Sequence, residues 1–99
     1  MKTIYISGSL TNGGTKKLDP RAHNKMARIL RKMGNKVFNP AELEQKTKKS
    51  WEWYLSRDLL WIEKHKPMMM MLTNWKESLG ARLEHELALR LKLTIIYEI

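Results

Sequence analysis

Several residue types are missing or scarce in this chain of 99 residues, which has no cysteine and only one phenylalanine. Without cysteine it can form neither disulfides nor cysteine-ligated metal sites, which fits a reducing cytoplasm. Long apolar runs are also missing. The N-terminal run breaks at Gly8, and is too short for a signal peptide or a membrane span. We therefore expect a cytoplasmic protein that does not bind membranes.

Acidic residues are few: 10 Asp and Glu face 19 Lys and Arg, which gives a formal net charge of +9. Such an excess attracts polyanions and phosphorylated small molecules alike, or it is only a solvated basic surface. The charge alone does not separate a nucleotide from a nucleic acid as the partner. The hydrophobic fraction of 42% and the length indicate one globular domain over residues 1–99, with one modest core.

Apolar periodicity predicts strands alternating with helices along the chain. Strands are predicted at residues 3–7, 36–38, 68–72 and 93–97, and the unbroken apolar run 68–72 is expected to be the most buried. Helices of this length between short strands imply right-handed crossovers and a parallel sheet. The fold class is therefore α/β: a single flavodoxin- or Rossmann-like domain, with a parallel sheet of four to five strands flanked by helices.

Capping residues and turn formers place three helices. The first starts at Asp19-Pro20, carries the apolar residues Met26, Ile29, Leu30 and Met33, and stops at Gly34. Ser50 caps the second, whose apolar stripe is Trp51, Leu55, Leu59 and Ile62, with Tyr54 and Asp58 alongside. Residues 41–49 are predicted to be a loop or a helical turn.

The third helix begins at about Ser78, whose hydroxyl can accept a hydrogen bond from a free amide of the first turn. Leu83, Leu87 and Leu91 recur at four-residue spacing, with alanines beside them, so this face is predicted to look inward. Glu84 lies on or beside the stripe. A carboxylate there is either a satisfied structural group or a reactive one.

Polar residues of several segments should meet at the carboxyl ends of the strands, where ligands bind in parallel sheets. They are Tyr5, the Gly8-Ser9 turn, Asp58, Ser78 and Glu84. Gly8-Ser9 lacks the spacings of a Walker loop or a dinucleotide fingerprint. It can still expose backbone amides to a phosphate, or it is a simple tight turn.

Structural alternatives exist for each of these groups. Asp58 could pair with Arg57, and Glu84 could pair with Arg82 or Lys92 at the surface. The histidines show no metal-ligand spacing, so a surface position is predicted for His23, His65 and His85, and neither a metal nor a cofactor is expected. The tryptophans could stack on bases, but most are expected to pack in the core or at a subunit contact.

Four segments in order carry a resemblance that covers nearly the whole chain. They are IYISGS from residue 4, NPAE from residue 39, WEWYLSRDLLWI from residue 51 and WKESLGARLEHELA from residue 75. They resemble the nucleoside 2-deoxyribosyltransferase superfamily, especially its small nucleotide N-hydrolase branch and related phage and bacterial proteins. The chain departs from that pattern at His65-Lys66-Pro67, where relatives have an acidic residue. It departs again at Thr11, where the hydrolase branch has an arginine that Lys16 or Lys17 could replace.

The resemblance implies a role for each matching residue. Glu84 would be the nucleophile that attacks the anomeric carbon of a (deoxy)ribosyl group, Asp58 a proton donor or orienting group, and Tyr5 a residue that positions Glu84 and the sugar. Gly8, Ser9 and Ser78 would hold a 5′-phosphate, and Gly80 would also lie in the substrate site. The chemistry is consistent, because a carboxylate stabilises positive charge on the sugar and the departing base needs a proton.

The expected activity is therefore cleavage of the base–sugar bond of a nucleoside 5′-monophosphate, or less favourably base exchange. The alternative is a catalytically inactive nucleotide- or nucleic-acid-binding protein on the same fold, for example a phage factor that acts on a host partner. A homodimer or a dimer of dimers is also expected. It would use the helix that carries Trp51, Trp53, Tyr54 and Trp61, together with its neighbours.

Overall fold

The fold alternates strands and helices in a computed structural model that describes residues 1–11 and 17–99. The strands are β1 (Thr3–Ser7), β2 (Lys36–Phe38), β3 (Met68–Met71) and β4 (Ile95–Tyr97). The helices are α1 (Arg21–Lys32), α2 (Pro40–Lys46), α3 (Trp51–His65) and α4 (Leu79–Arg90), with a single 3₁₀ turn at Trp75–Glu77 before α4. No helix in the described ranges is long and apolar enough to cross a membrane.

All four strands are parallel and lie in the order β2-β1-β3-β4. This confirms the predicted α/β domain with one parallel sheet. Strands β1 and β3 are central, and both are buried, so the run of methionines is not more buried than β1. The chain turns from β1 to one side of the sheet and later from β3 to the other. The crevice at such a reversal of strand order is where open α/β sheets bind ligands.

Alternation along β1 sends its side chains to opposite faces of the sheet. Ile4 and Ile6 pack on the face covered by α1, against Ala27 and Leu30. Tyr5 joins the other cluster, which includes residues of α3 and α4. Ser7 has the same parity as Tyr5 and points to the same face. The sheet therefore presents two hydroxyl groups of β1 toward α4.

Side-chain caps fix the starts of three helices. The hydroxyl oxygens of Ser50 and Ser78 accept hydrogen bonds from the third helical amides, each at 3.1 Å, which confirms both predicted caps. Asn39 caps α2 by accepting from the amide of Ala41, so the first part of the segment predicted to be a loop or a helical turn is a seven-residue helix. Helix α1 begins at Arg21, and Asp19 accepts from that residue's amide and guanidinium.

The inward face of α4 differs from the prediction. It consists of Ala81, Glu84 and Ala88, whereas Leu83 is 40% exposed. Leu87 and Leu91 are only partly buried at its edge. The alanines have no bulk beyond Cβ, so α4 can approach the sheet closely. The carboxylate of Glu84 then reaches the hydroxyl groups of β1.

Two other helices also turn a different face inward. On α1 the buried residues are His23, Ala27 and Leu30, while the predicted Ile29 and Met33 are exposed. On α3 the buried residues are Tyr54, Asp58 and Ile62, and Trp51 is half exposed. Each helix thus buries a polar residue that was predicted to lie at the surface or beside the apolar stripe: His23 on α1 and Asp58 on α3. Both residues line the same cavity.

Candidate active site

A cavity of about 640 Å³ opens at the carboxyl end of β1, between the sheet and the starts of α3 and α4. Its volume lies in the range of small-molecule sites. All seven residues singled out from the sequence line it: Tyr5, Gly8, Ser9, Asp58, Ser78, Gly80 and Glu84. Their predicted convergence on one rim is therefore observed.

Glu84 lies at the inner wall of this cavity and is only 6% exposed. The Tyr5 hydroxyl donates a hydrogen bond to its Oε2 at 2.6 Å, and the Ser7 hydroxyl donates to its Oε1 at 2.6 Å. Both carboxylate oxygens are thus held by neutral donors of β1. This geometry excludes the alternative of a surface ion pair with Arg82 or Lys92.

Ser7 is a site residue that the sequence analysis missed. It is buried and holds one oxygen of Glu84. The available signal was the two-residue alternation of a strand, which places Ser7 on the same face as Tyr5.

Burial sets the protonation behaviour of this pair. It raises the pKa of Glu84 to about 7, although the hydrogen bonds from Ser7 and Tyr5 favour the ionised form. Burial, followed by the negative charge of Glu84, raises the pKa of Tyr5 well above its usual value. Tyr5 therefore keeps its proton at neutral pH and acts as a hydrogen-bond donor, not as a phenolate.

Asp58 supplies a second buried carboxyl group from the middle of α3. Burial and the nearby charge of Glu84 raise its pKa to about 8. Arg57 does not neutralise it by an ion pair in the described structure, since its guanidinium lies over the ring of Trp53. The alternative of a simple Asp58–Arg57 pair is therefore excluded.

The Tyr5 hydroxyl has one proton to donate, and the choice of acceptor determines which of the two carboxyl groups ionises first. Its hydroxyl interacts with both, but the 2.6 Å hydrogen bond goes to Glu84. Glu84 also receives the Ser7 hydroxyl, so its charged form is the better stabilised of the two. We therefore assign the first ionisation of the pair to Glu84, with Asp58 retaining its proton near neutrality.

The rest of the wall is acidic and apolar. Glu44 and Glu77 add two more carboxyl groups, and burial raises the pKa of Glu44. Of the described residues that line the cavity, none is lysine or arginine. An anionic ligand group would therefore meet only neutral donors in this part of the site. Lys16, one of the two candidate replacements for the missing arginine, falls outside the described residues.

The Gly8-Ser9 turn is shaped by packing against Leu72 and Asn74. A Cβ on Gly8 would lie 2.8 Å from the Cβ of Leu72 and 2.8 Å from Oδ1 of Asn74, so no larger residue fits. The Ser9 amide donates to that same Oδ1 at 2.9 Å. This amide is therefore engaged within the protein. The Ser9 residue lines the cavity, and its hydroxyl makes longer contacts with Thr11, at 3.3 Å to Oγ1 and 3.4 Å to the backbone.

The start of α4 offers further neutral donors. The amides of Leu79 and Gly80 belong to the first turn, where helix geometry provides no intrahelical acceptor. Ser78 caps this turn and lines the cavity with them. Such a helix start is a favourable place for an anionic group.

His23 is a second site residue that the sequence analysis did not identify. It is 1% exposed, lines the cavity, and its Nδ1 has no hydrogen-bond partner in the described structure. Burial lowers its pKa to about 4, so the imidazole is neutral at pH 7. The predicted surface position was wrong because His23 shares the inward face of α1 with Ala27 and Leu30. Their spacing at i, i+4 and i+7 was the available signal.

The sequence profile of a family described as "Domain of unknown function (DUF4406)" matches residues 2–97. The chain belongs to this family. The match spans every strand and helix named above, so the DUF4406 domain contains the whole cavity. No curated protein and no solved structure matches the chain.

The DUF4406 site thus combines three chemical features. A carboxylate is held rigidly by two hydroxyl groups, a second carboxyl group carries a proton near neutral pH, and a helix start faces the same cavity. A fixed carboxylate and a protonated acid in one pocket are the groups that displacement at a sugar carbon requires.

Proposed function

We propose that this DUF4406 domain is an N-glycosidase that cleaves the base–sugar bond of a (deoxy)nucleoside 5′-monophosphate, with Glu84 as nucleophile. The observation that carries the proposal is the buried Glu84 carboxylate, fixed by the Tyr5 and Ser7 hydroxyl groups at 2.6 Å each. The resemblance of four segments to the nucleoside 2-deoxyribosyltransferase superfamily supplies the reaction class.

In the first step, a Glu84 oxygen attacks the anomeric carbon as the bond from that carbon to the base nitrogen breaks. The electron pair of the broken bond goes to the base, which receives a proton from the carboxylic acid of Asp58. The products are a glycosyl ester on Glu84, a free base and ionised Asp58. Positive charge that develops on the sugar is stabilised by the carboxylate at the inner wall of the cavity.

In the second step, ionised Asp58 removes a proton from water, and the oxygen of that water attacks the anomeric carbon. The ester bond to Glu84 breaks, which restores the Glu84 carboxylate and the protonated Asp58. One group thus serves as acid and then as base, as in retaining glycosidases. Attack by a second base in place of water would give base exchange, the less favoured outcome.

Tyr5 and Ser7 are positioning residues in this scheme. They hold both oxygens of Glu84, so the nucleophile pays little orientational entropy when the sugar arrives. Their hydrogen bonds also oppose the effect of burial on the pKa of Glu84. A larger fraction of the enzyme therefore carries the reactive carboxylate at neutral pH.

The 5′-phosphate is assigned to neutral donors at the start of α4 and to the hydroxyl groups of Ser9 and Ser78. The positive end of the helix favours the anion there. Gly80 leaves its amide unscreened by a side chain. The net charge of +9 adds long-range attraction for a phosphorylated substrate.

The test is incubation with a panel of nucleoside and deoxynucleoside monophosphates, with free base measured by chromatography. We expect base release from at least one of them and a loss on the order of 10³-fold or more in Glu84→Gln. Glu86→Gln is the matched control, because Glu86 lies on the same helix but is exposed. Its rate should equal that of the unmodified protein.

Two results would contradict the proposal in different ways. An unchanged rate in Glu84→Gln would remove Glu84 from the nucleophile's role while leaving the activity in place. No base from any monophosphate at high enzyme concentration would reject the activity. If calorimetry then still detected monophosphate binding, the non-catalytic binding protein would be the better description.

A further inference from the structure

The excess positive charge is confined to one half of the chain. Residues 1–49 contain 12 Lys and Arg against 3 Asp and Glu, whereas residues 50–99 contain 7 of each. The whole net charge of +9 therefore belongs to the first half, which forms β1, α1, β2 and α2. The second half, which supplies Asp58 and Glu84, is neutral. A uniformly solvated basic surface would not be divided in this way.

Helix α1 concentrates this charge on its outer face. Its sequence, RAHNKMARILRK, contains no acidic residue. The exposed basic row consists of Arg21, Lys25, Arg28 and Lys32. These positions follow the spacing i, i+4, i+7 and i+11, so they lie on one stripe about 16 Å long. The stripe is opposite the buried face.

Most of the basic row has no internal counter-charge. Arg21 pairs with Asp19 at 2.8 Å. In the described part of the chain no carboxylate lies within ion-pair distance of Lys25, Arg28 or Lys32. Three neighbouring cations, roughly 5–6 Å apart along the helix, therefore repel one another unless an external anion neutralises them.

A groove beside the basic row adds uncharged hydrogen-bonding groups. This second cavity, of about 500 Å³, lies between α1 and α2, and its wall includes Arg28, Lys32, Asn24 and Gln45. The wall also contains Glu42, whose carboxylate is paired with Arg31 at 2.7 Å. It is separate from the cavity of Glu84, which α1 reaches only through His23 on its opposite face. Both cavities can therefore be occupied at the same time.

We infer that the basic row of α1 binds the phosphate backbone of duplex nucleic acid. A straight row of cations complements a polyanion that carries charge at regular intervals. The exposed face of α1 has no aromatic residue, since its one imidazole, that of His23, is buried, so the helix offers no stacking platform for the bases of a single strand. Its apolar face is buried against the sheet, so it is not available for insertion into a membrane surface.

The inference is tested by fluorescence anisotropy of a labelled 25-base-pair duplex across a series of salt concentrations. The triple variant Lys25→Gln, Arg28→Gln, Lys32→Gln removes the unpaired cations. Its matched control, Lys64→Gln, Arg82→Gln, Lys92→Gln, removes the same charge from exposed positions of the neutral half. All six side chains are exposed, and thermal unfolding by circular dichroism checks that both variants fold.

We expect the unmodified protein to bind with log affinity falling linearly against log salt. The α1 variant should lose about three units of that slope and at least about tenfold in affinity at low salt, whereas the control stays within about twofold. Equal losses in the two variants would overturn the inference, since net charge alone would then explain binding. So would tighter binding to a single strand of the same length, or binding to vesicles rich in anionic lipid but not to the duplex.

Discussion

Glu84 is a carboxylate between two opposing influences. The hydroxyl groups of Tyr5 and Ser7 stabilise its charge, and the surrounding interior disfavours that charge more strongly. The net effect raises the pKa of Glu84 from 4.5 to about 7. Between these values the folded state holds a proton that the unfolded chain has released. The free energy of unfolding contributed by Glu84 therefore falls as the pH rises through this window, and it is constant above the window.

This linkage gives a prediction for Glu84→Gln, whose side chain does not titrate. A displacement of the pKa from 4.5 to about 7 corresponds to about 3 kcal/mol. We expect the free energy of unfolding of the variant, relative to that of the unmodified protein, to be higher at pH 7.5 than at pH 4.5 by about this amount. Loss of the Glu84 charge also removes one cause of the raised pKa of Asp58, which further stabilises the variant at the higher pH. Urea denaturation at both pH values measures the difference.

The exposed Glu86→Gln serves as the control for this experiment, because it removes a carboxylate from the same helix outside the buried site. His23 titrates in the same region, but it is present in all three proteins and cancels in the comparison. The difference in free energy of unfolding between Glu84→Gln and the unmodified protein is the quantity that decides. If it stayed constant or shrank with rising pH, folding would not raise the pKa of Glu84.

At the scale of elements, α4 links the start of a helix to the position of Glu84, the proposed nucleophile. Ser78 caps its first turn, and Glu84 follows six residues later on the inward face. Fraying of the first turn would therefore loosen the neutral donors assigned to the 5′-phosphate before it moved Glu84. The proposal thus gives the cap a structural effect and a binding effect that can be separated.

Ser78→Ala tests this separation against Ser50→Ala. Both hydroxyl groups cap a helix at 3.1 Å, but only Ser78 lines the cavity. Each variant should lose about 1 kcal/mol of stability in thermal or urea unfolding. Only Ser78→Ala should also raise KM for the monophosphate. An equal effect of the two variants on KM would limit Ser78 to its capping role.

At the scale of the whole molecule, α3 leaves less aromatic surface than the sequence predicts. Trp61 stacks on His65 and packs at a tilt against Phe38, and Trp53 is covered by Tyr54 and by two basic side chains. Trp51 is 50% exposed. Four leucines of α3 and α4 are also exposed: Leu60, Leu79, Leu83 and Leu89. The expected homodimer therefore has leucines as well as Trp51 available for its interface.

Sedimentation at micromolar concentration tests the homodimer. We expect a dimer for the unmodified protein and a shift toward monomer in Leu60→Glu, because a buried unpaired carboxylate would oppose association. Met33→Glu is the control, since Met33 is equally apolar and exposed but lies at the end of α1. A monomer in the unmodified protein, or equal dissociation in both variants, would contradict an interface on α3.

Local signals determined much of this protein from the sequence alone. Periodicity and turn formers gave the order of strands and helices and the serine caps of α3 and α4, because each depends on residues close in the chain. The parallel sheet followed from that order, since helices between short strands imply right-handed crossovers. The convergence of the site residues also followed, since parallel strands end at one edge of the sheet. The resemblance of four segments to the nucleoside 2-deoxyribosyltransferase superfamily added the proposed roles.

Only the tertiary structure decided which polar groups meet. Glu84 accepts hydrogen bonds from Tyr5 and Ser7, which precede it in the chain by 79 and 77 positions. Leucine spacing predicted Leu83 on the inward face, but the hydroxyl groups of β1 place Glu84 there instead. His23 is buried for the same kind of reason, since α1 turns it toward the cavity. Periodicity reports which side of a helix is apolar on average, whereas strand order and helix rotation determine what each position contacts.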